Sequence, residues 1–145
     1  MTNYWLLKTE PGTYSYADLE RDGKTVWNGV TNALALKHLR SMKRGDLTFI
    51  YHTGKEKQVV GIAEVTSDPY PDPNGQNPKL VVIELTPRER LKRGVTLAEI
   101  KTRKEFTAAD ESGQVFALVR MGRLSVMPVS KARWRRLCEM AQSTA

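Results

Sequence analysis

LTFIYHTGKEKQVVGIAEVT, residues 47–66, holds two strand-forming runs around a short polar loop. Leu47 to Thr53 and Val59 to Thr66 are dense in β-branched and aromatic side chains, which suit a pleated, half-buried surface. Gly54 to Gln58 is too short for a crossover connection, so the two runs predict an antiparallel hairpin. On the N-terminal side, Tyr4 to Lys8 predicts a strand stopped by Pro11 and Gly12. Ser15, with Asp18 three residues on, caps a short helix through Leu19 that Gly23 closes. Val26-Trp27 leads into a turn at Asn28-Gly29. Asn32 to Met42 predicts a helix with Ala35, Leu36, Leu39 and Met42 on its apolar stripe, capped by Thr31 or Asn32 and stopped at Gly45-Asp46.

On the C-terminal side, DPYPDPNGQNP at 68–78 predicts a long exposed loop, and Leu80 to Leu91 a long strand closed by the charges Arg88-Glu89-Arg90. Thr96 and Glu99 form a capping box for the helix TLAEIK. Residues 102–113 are polar and predict irregular chain, and Val115 to Val119 is a helical turn or a strand. Leu124 to Val129 alternates as a strand, with Pro128 marking an edge or a bulge. Ser130 caps a last helix whose Trp134, Leu137, Cys138 and Ala141 face inward, with Lys131, Arg133, Arg135 and Arg136 turned elsewhere. Strands do not alternate with long helices, so a doubly wound sheet is disfavoured. The expectation is an α+β fold: a closed or half-closed barrel of about five or six mostly antiparallel strands with short flanking helices. No repeat or linker interrupts it, so residues 1–145 predict one domain.

The apolar content of 40% and charged content of 27% are those of a globular chain. No apolar run is long enough for a membrane span, and no basic segment followed by an apolar stretch marks a secretory signal. The lone Cys138 excludes an internal disulfide and a Cys-rich zinc site, and fits a reducing, intracellular location. Two histidines, His38 and His52, are too few for a His-dominated metal centre. The net charge is +7 with sixteen acids still present, which points to a basic folded domain whose partners are polyanions. Nucleic acid comes first and membrane surfaces second.

Four patches carry the polar and aromatic groups that read a planar ligand: YWLLKTEP at 4–11, WNGVTN at 27–32, FIYHTG at 49–54 and RLSVMPVS at 123–130. Trp27 beside a turn is either a core anchor or a stacking platform. Asn32 is a helix cap or an amide that donates to and accepts from a base edge. Tyr51 and His52 point to opposite faces, so one packs inward and the other lines the mouth. Arg123 is a phosphate clamp, a stacking guanidinium or a lone surface cation. The expected phosphate contacts are Lys37, Arg40, Lys43 and Arg44, with Arg133 and Arg136 of the last helix. No catalytic signature stands out. HTGKEKQVVG lacks the glycine before a Lys-Ser or Lys-Thr pair that a P-loop needs, no GxGxxG follows a strand, and Cys138 lies on a buried helix face. No catalytic residue, metal or cofactor is therefore assigned.

At these residues the chain resembles the EVE domain family over nearly its whole length. YWLLKTEP, Trp27-Asn28-Gly29-Val30 with Asn32, Phe49 to Thr53, VVGIAEV at 59–65, VTLAEIK at 95–101 and RLSVMPVS followed by Trp134 occur in the family's order. The resemblance implies a PUA-like pseudo-barrel, related to PUA, ASCH and YTH domains. It also implies a non-enzymatic reader of a modified base, such as a methylated or hydroxymethylated cytosine or a methylated adenine, in DNA or RNA. Carried over by position, the cleft would draw on Lys8, Glu10, Trp27, Val30, Asn32, Tyr51, His52, Thr53, Arg123, Leu124 and Ser125. Thr31 stands where many relatives carry arginine, which removes a cation from the cleft edge. Thr53 stands where many carry serine, which keeps the hydroxyl. The competing expectations are an RNA-binding PUA-like module, an enzyme on a nucleobase or nucleotide with Glu10 and His52 as acid and base, and an adaptor for a small metabolite. A reader of this kind would be cytoplasmic, or nuclear in a eukaryote, and would take its output from a partner protein or from occlusion.

Overall fold

The computed structural model describes residues 2–75 and 77–143. The hairpin of β3 (Leu47–His52) and β4 (Gln58–Val65) forms as expected and is the middle pair of a seven-stranded sheet. The strand order is β2-β6-β4-β3-β1-β7, with β5 on β6. β1 (Tyr4–Thr9) runs parallel to β3, because the connection holds α1 (Tyr16–Asp22), β2 (Thr25–Trp27) and α2 (Ala33–Ser41). All the other pairings are antiparallel. β6 (Val81–Thr96) is the longest strand, and its ladder with β4 slips at Val59/Gly61 and at Ile62/Ala63. Such slips bend and twist the paired strands, and the sheet curls into a half-barrel that β2 and β7 leave open.

The helices form where capping and periodicity place them. Ser15 with Asp18, and Thr96 with Glu99, make complete capping boxes for α1 and for α3 (Leu97–Lys101). Asn32 caps α2, and Ser130 caps α6 (Lys131–Met140). Val115 to Val119 resolves as the helical turn α5 (Ala117–Arg120), and Pro128 lies exposed in the edge strand β7 (Val126–Val129). Three expectations are corrected. The 68–78 loop contains β5 (Tyr70–Pro71), and Thr25 to Trp27 is a strand, both held by pairing with β6. Residues 102–113 contain α4 (Lys104–Thr107). Gln76, within the same loop, lies outside the described residues.

The core runs between the sheet and α1, α2 and α6. Leu6, Leu7, Phe49 and Val126 are fully enclosed, and each such side chain contributes about 1.5–3 kcal/mol by leaving water. Trp134 of α6 stacks on Phe49 with ring centres 3.9 Å apart and on Tyr4 at 4.7 Å. Cys138 lies buried beside it, and burial pushes its thiol up to about 11, an inert state. The buried Asp46 carboxylate accepts from Trp5 Nε1 at 2.9 Å and from the Lys43 backbone at 3.0 Å, fastening β1 to the turn before β3. Tyr16 opens α1 and lies over Gly61, where a Cβ would meet the ring at 2.3 Å. Its hydroxyl donates to Ile62 O at 2.7 Å, so α1 is locked across β4. No helix among the described residues is long and apolar enough to cross a membrane.

Candidate functional site

The site forms where β1 runs out. Lys8 is the register partner of Tyr51 on β3, and its ammonium stands 5.7 Å from the centre of that ring. The same ammonium donates to Gly122 O at 2.8 Å, and the Lys8 backbone donates to Ser125 O at 2.9 Å. Lys8 has no carboxylate partner among the described residues, and partial burial lowers its pKa. Tyr51 is buried beneath it with a hydroxyl that makes no hydrogen bond among the described residues, and burial raises its pKa. Two residues on from Lys8, Glu10 accepts from the Gly12 backbone at 3.1 Å and from Thr53 Oγ1 at 3.4 Å. Gly54 follows with φ 77°, a left-handed conformation that favours glycine, and the Glu10 carboxylate lies close over it.

Two recesses flank this strand end. One, of about 400 Å³, lies between Asn32 and Leu34 on one side and Arg120 to Leu124 on the other. Its floor is apolar, no carboxylate lines it, and Arg120 and Arg123 stand at its rim without ion pairs among the described residues. The other, of about 340 Å³, is lined by Thr9, Tyr14, Thr25 and Trp27. The structure thus brings Lys8, Tyr51 and Ser125 together, Glu10 with Thr53, and Asn32 with Arg123 and Leu124. Trp27 opens onto a different recess from Asn32.

Several expected contacts take other roles. Trp27 is only 9% exposed and meets Tyr14 edge to face at 6.3 Å, so the core-anchor half of its expectation is the one the packing supports. Val30 is buried beside it in the core cluster. Asn32 Oδ1 accepts the Ala35 backbone N–H at 3.0 Å, which leaves the two amide hydrogens as its free donors. His52 does not line a mouth. Its Nε2 accepts the Tyr16 backbone N–H at 3.0 Å, so Nδ1 carries the proton and donates to Glu56 Oε1, also at 3.0 Å. Both faces of β3 are covered at this point, which is why strand alternation could not leave one of the pair open.

Arg133 is corrected outright as a phosphate contact. Its side chain is enclosed and donates to the carbonyls of Glu105, Ala108 and Gln114 at 3.0, 3.2 and 3.0 Å and to Asp110 Oδ2 at 3.3 Å. Arg136 is tied to Glu105 at 2.8 Å, and Arg40 donates to Lys79 O at 2.6 Å. Lys37 and Lys43 are exposed with no ion pair among the described residues, and the Arg44 side chain is exposed. Sequence reasoning missed Arg120, three residues before Arg123 and readable as a cation pair, and the Gly122 carbonyl, which leaves no sequence signal.

The half-barrel, the parallel β1–β3 pair and the cleft at the end of β1 define a PUA-like domain. An EVE domain model matches residues 3–140, and the chain belongs to the EVE domain family. The rat Thymocyte nuclear protein 1 is 30% identical across 90% of this chain and 70% of its own. Among solved structures, Rpa0253 from Rhodopseudomonas palustris is 36% identical with a TM-score of 0.85, covering 97% of this chain and 94% of its own. The human THYN1 protein in complex with 5-methylcytosine containing DNA is 25% identical with a TM-score of 0.84, covering 99% of this chain and all (100%) of that one.

Proposed function

We propose that the protein is a non-enzymatic nucleic-acid reader that takes a modified base into the Asn32–Arg123 recess. The observation that carries this is the recess itself: an apolar floor, an amide with two free donors and a rim of two unpaired guanidinium groups with no acid among them. The human relative of the same fold, whose complex holds 5-methylcytosine containing DNA, supports the class of ligand. Arg120, Arg123, Lys37, Lys43 and Arg44 supply sequence-tolerant attraction to phosphates. The target base leaves its stack at a cost of a few kcal/mol in a duplex and less in a single strand. The Asn32 amide then donates to an acceptor on its edge, while a methyl group against Leu124 adds about 0.8 kcal/mol. The methyl tunes selectivity and does not by itself supply affinity. An enzymatic role for Glu10 and His52 gains no support, since both imidazole nitrogens are occupied and the Glu10 carboxylate accepts from the Gly12 backbone and Thr53.

The test is a titration of the protein against matched DNA and RNA oligomers carrying unmodified and modified cytosine or adenine. Tighter binding of a modified oligomer is expected, and equal affinity for every modified and unmodified pair would sink base reading. Asn32→Asp separates cap from contact. Aspartate caps a helix as well as asparagine does, so stability is expected to hold. The base donor is lost, and affinity for the modified oligomer should fall by about 2- to 10-fold. An unchanged affinity removes the amide from the contact. Independently, the double substitution Arg120→Ala/Arg123→Ala is expected to lower the slope of log affinity against log salt by roughly 1.4 to 1.8. An unaltered slope places both guanidinium groups off the phosphates.

A further inference from the structure

Through Leu34, Arg120, Met121 and Leu124, which the two share, the Asn32–Arg123 recess continues into a second one of about 430 Å³, separate from the Trp27 recess. Its farther wall brings in Phe116 and Val129, and His38 of α2 lines it. The His38 ring is half-buried, 6.2 Å from Trp5 and tilted to it, and makes no hydrogen bond among the described residues. Burial first, and the neighbouring Lys37 ammonium second, lower its pKa, so the imidazole is neutral at pH 7. A neutral imidazole offers one donor, one acceptor and a flat face, the combination that receives an unstacked base. The one carboxylate of this wall, Asp110, is already saturated by Ser112, Gln114 and Arg133, so it presents no free anion to a phosphate. Arg120 stands at the junction of the two recesses without an ion pair among the described residues.

We infer that this second recess seats the base of the nucleotide adjoining the modified one, held against the His38 ring, with Arg120 on the phosphate between them. The inference rests on the base-reading role proposed above and extends it: the protein reads a modified base together with one neighbour. Occupancy is one-sided, because the His38 ring lines only one of the two joined recesses, so one neighbour of the modified base reaches it.

The test uses the intact protein and short single-stranded oligomers carrying a modified base that it binds. An abasic linker replaces the base on one side, on the other, or on neither. Removing the base on one side should weaken binding by about 5- to 150-fold, the range for one stacked base, and removing the other should change little. His38→Ala should weaken the intact oligomer by a similar factor and abolish the penalty of the abasic linker. If both abasic oligomers bind as the intact one does, or if His38→Ala leaves the one-sided penalty in place, the second site is wrong while base reading survives. If modified and unmodified oligomers bind equally, base reading fails and takes this inference with it. The wild-type measurements stand whether or not the variant folds.

Discussion

Replacing Arg133 by alanine is expected to lower the free energy of unfolding by about 1.5–3 kcal/mol, the worth of hydrogen bonds made by a charged group, here one whose own side chain is buried. The guanidinium is the hub of the segment from 105 to 116. It donates to three main-chain carbonyls and one carboxylate, and it lies 5.6 Å from the centre of the Phe116 ring. Without it, the carbonyls of Glu105, Ala108 and Gln114 lose the one donor that ties them to α6. Arg133→Lys should recover little, since one ammonium cannot span the four acceptors that a planar fork reaches. Urea denaturation measures the loss. A drop below about 1 kcal/mol, with weaker nucleic-acid binding instead, would restore Arg133 to the phosphate surface. The network also gives a pH signature. Hydrogen bonds from Ser112 and then Gln114 hold the Asp110 carboxyl below its ordinary value of 3.8. Its folded form is therefore the less readily protonated one. That contribution is complete above the ordinary value and is lost as pH falls through the depressed one.

Arg133 also marks where sequence stops short. Arg133, Leu137 and Met140 are all buried and recur at helical spacing beside the Trp134, Leu137, Cys138 and Ala141 stripe. That wider face was visible in the sequence, but a charged side chain reads outward by default, and only the acceptors of a distant polar segment turn it in. The same segment read as irregular because α4 has no apolar period of its own and depends on those long-range bonds. β2 and β5 escaped for a related reason. Strands of two or three residues carry no pattern, and β6 creates them by pairing. By contrast, the hairpin at 47–66 and the caps at Ser15, Asn32, Thr96 and Ser130 were legible, since their determinants lie within a few residues of one another.

The candidate site divides along the same line. Asn32 could be found because a cap has a local signature, and Arg123 because an unpaired cation beside a strand is visible in one dimension. Which of Tyr51 and His52 meets the cleft could not be found. Alternation separates their faces, but α1 covers one and Lys8 with the Gly122 carbonyl covers the other, and both covers come from elsewhere in the chain. The change at Thr31 gains a setting too. Thr31 lines a recess with Arg40, Lys79 and Leu80, separate from the one that Asn32 and Arg123 line. The cation absent there has a counterpart in Arg40, which is fixed on the Lys79 carbonyl rather than free for a phosphate.

Trp27→Ala is expected to cost about 3–5 kcal/mol of stability and to erase preference for the modified base, leaving weak, salt-sensitive binding. The two losses have one origin. Trp27 ends β2 opposite Ile83, packs edge-on against Tyr14, and precedes the Asn28-Gly29 turn, where Gly29 adopts φ 82°. That turn carries the chain through buried Val30 to Asn32, so the indole fixes the start of α2 and with it the amide donors of the recess. Lys37, Lys43, Arg120 and Arg123 lie outside this anchor, so the charge-driven part of binding should persist. Trp27→Phe distinguishes anchoring from direct stacking. Phenylalanine keeps much of the buried ring, so an anchor predicts that most of the base preference returns together with stability. A preference that stays intact in a folded Trp27→Ala protein would remove Trp27 from recognition altogether. A preference lost in Trp27→Phe at nearly full stability would instead put the indole in contact with the base, at about 1–3 kcal/mol of stacking. Thermal unfolding and oligomer titration on the same preparations decide between these outcomes, because the fraction folded at the titration temperature is then known for each variant.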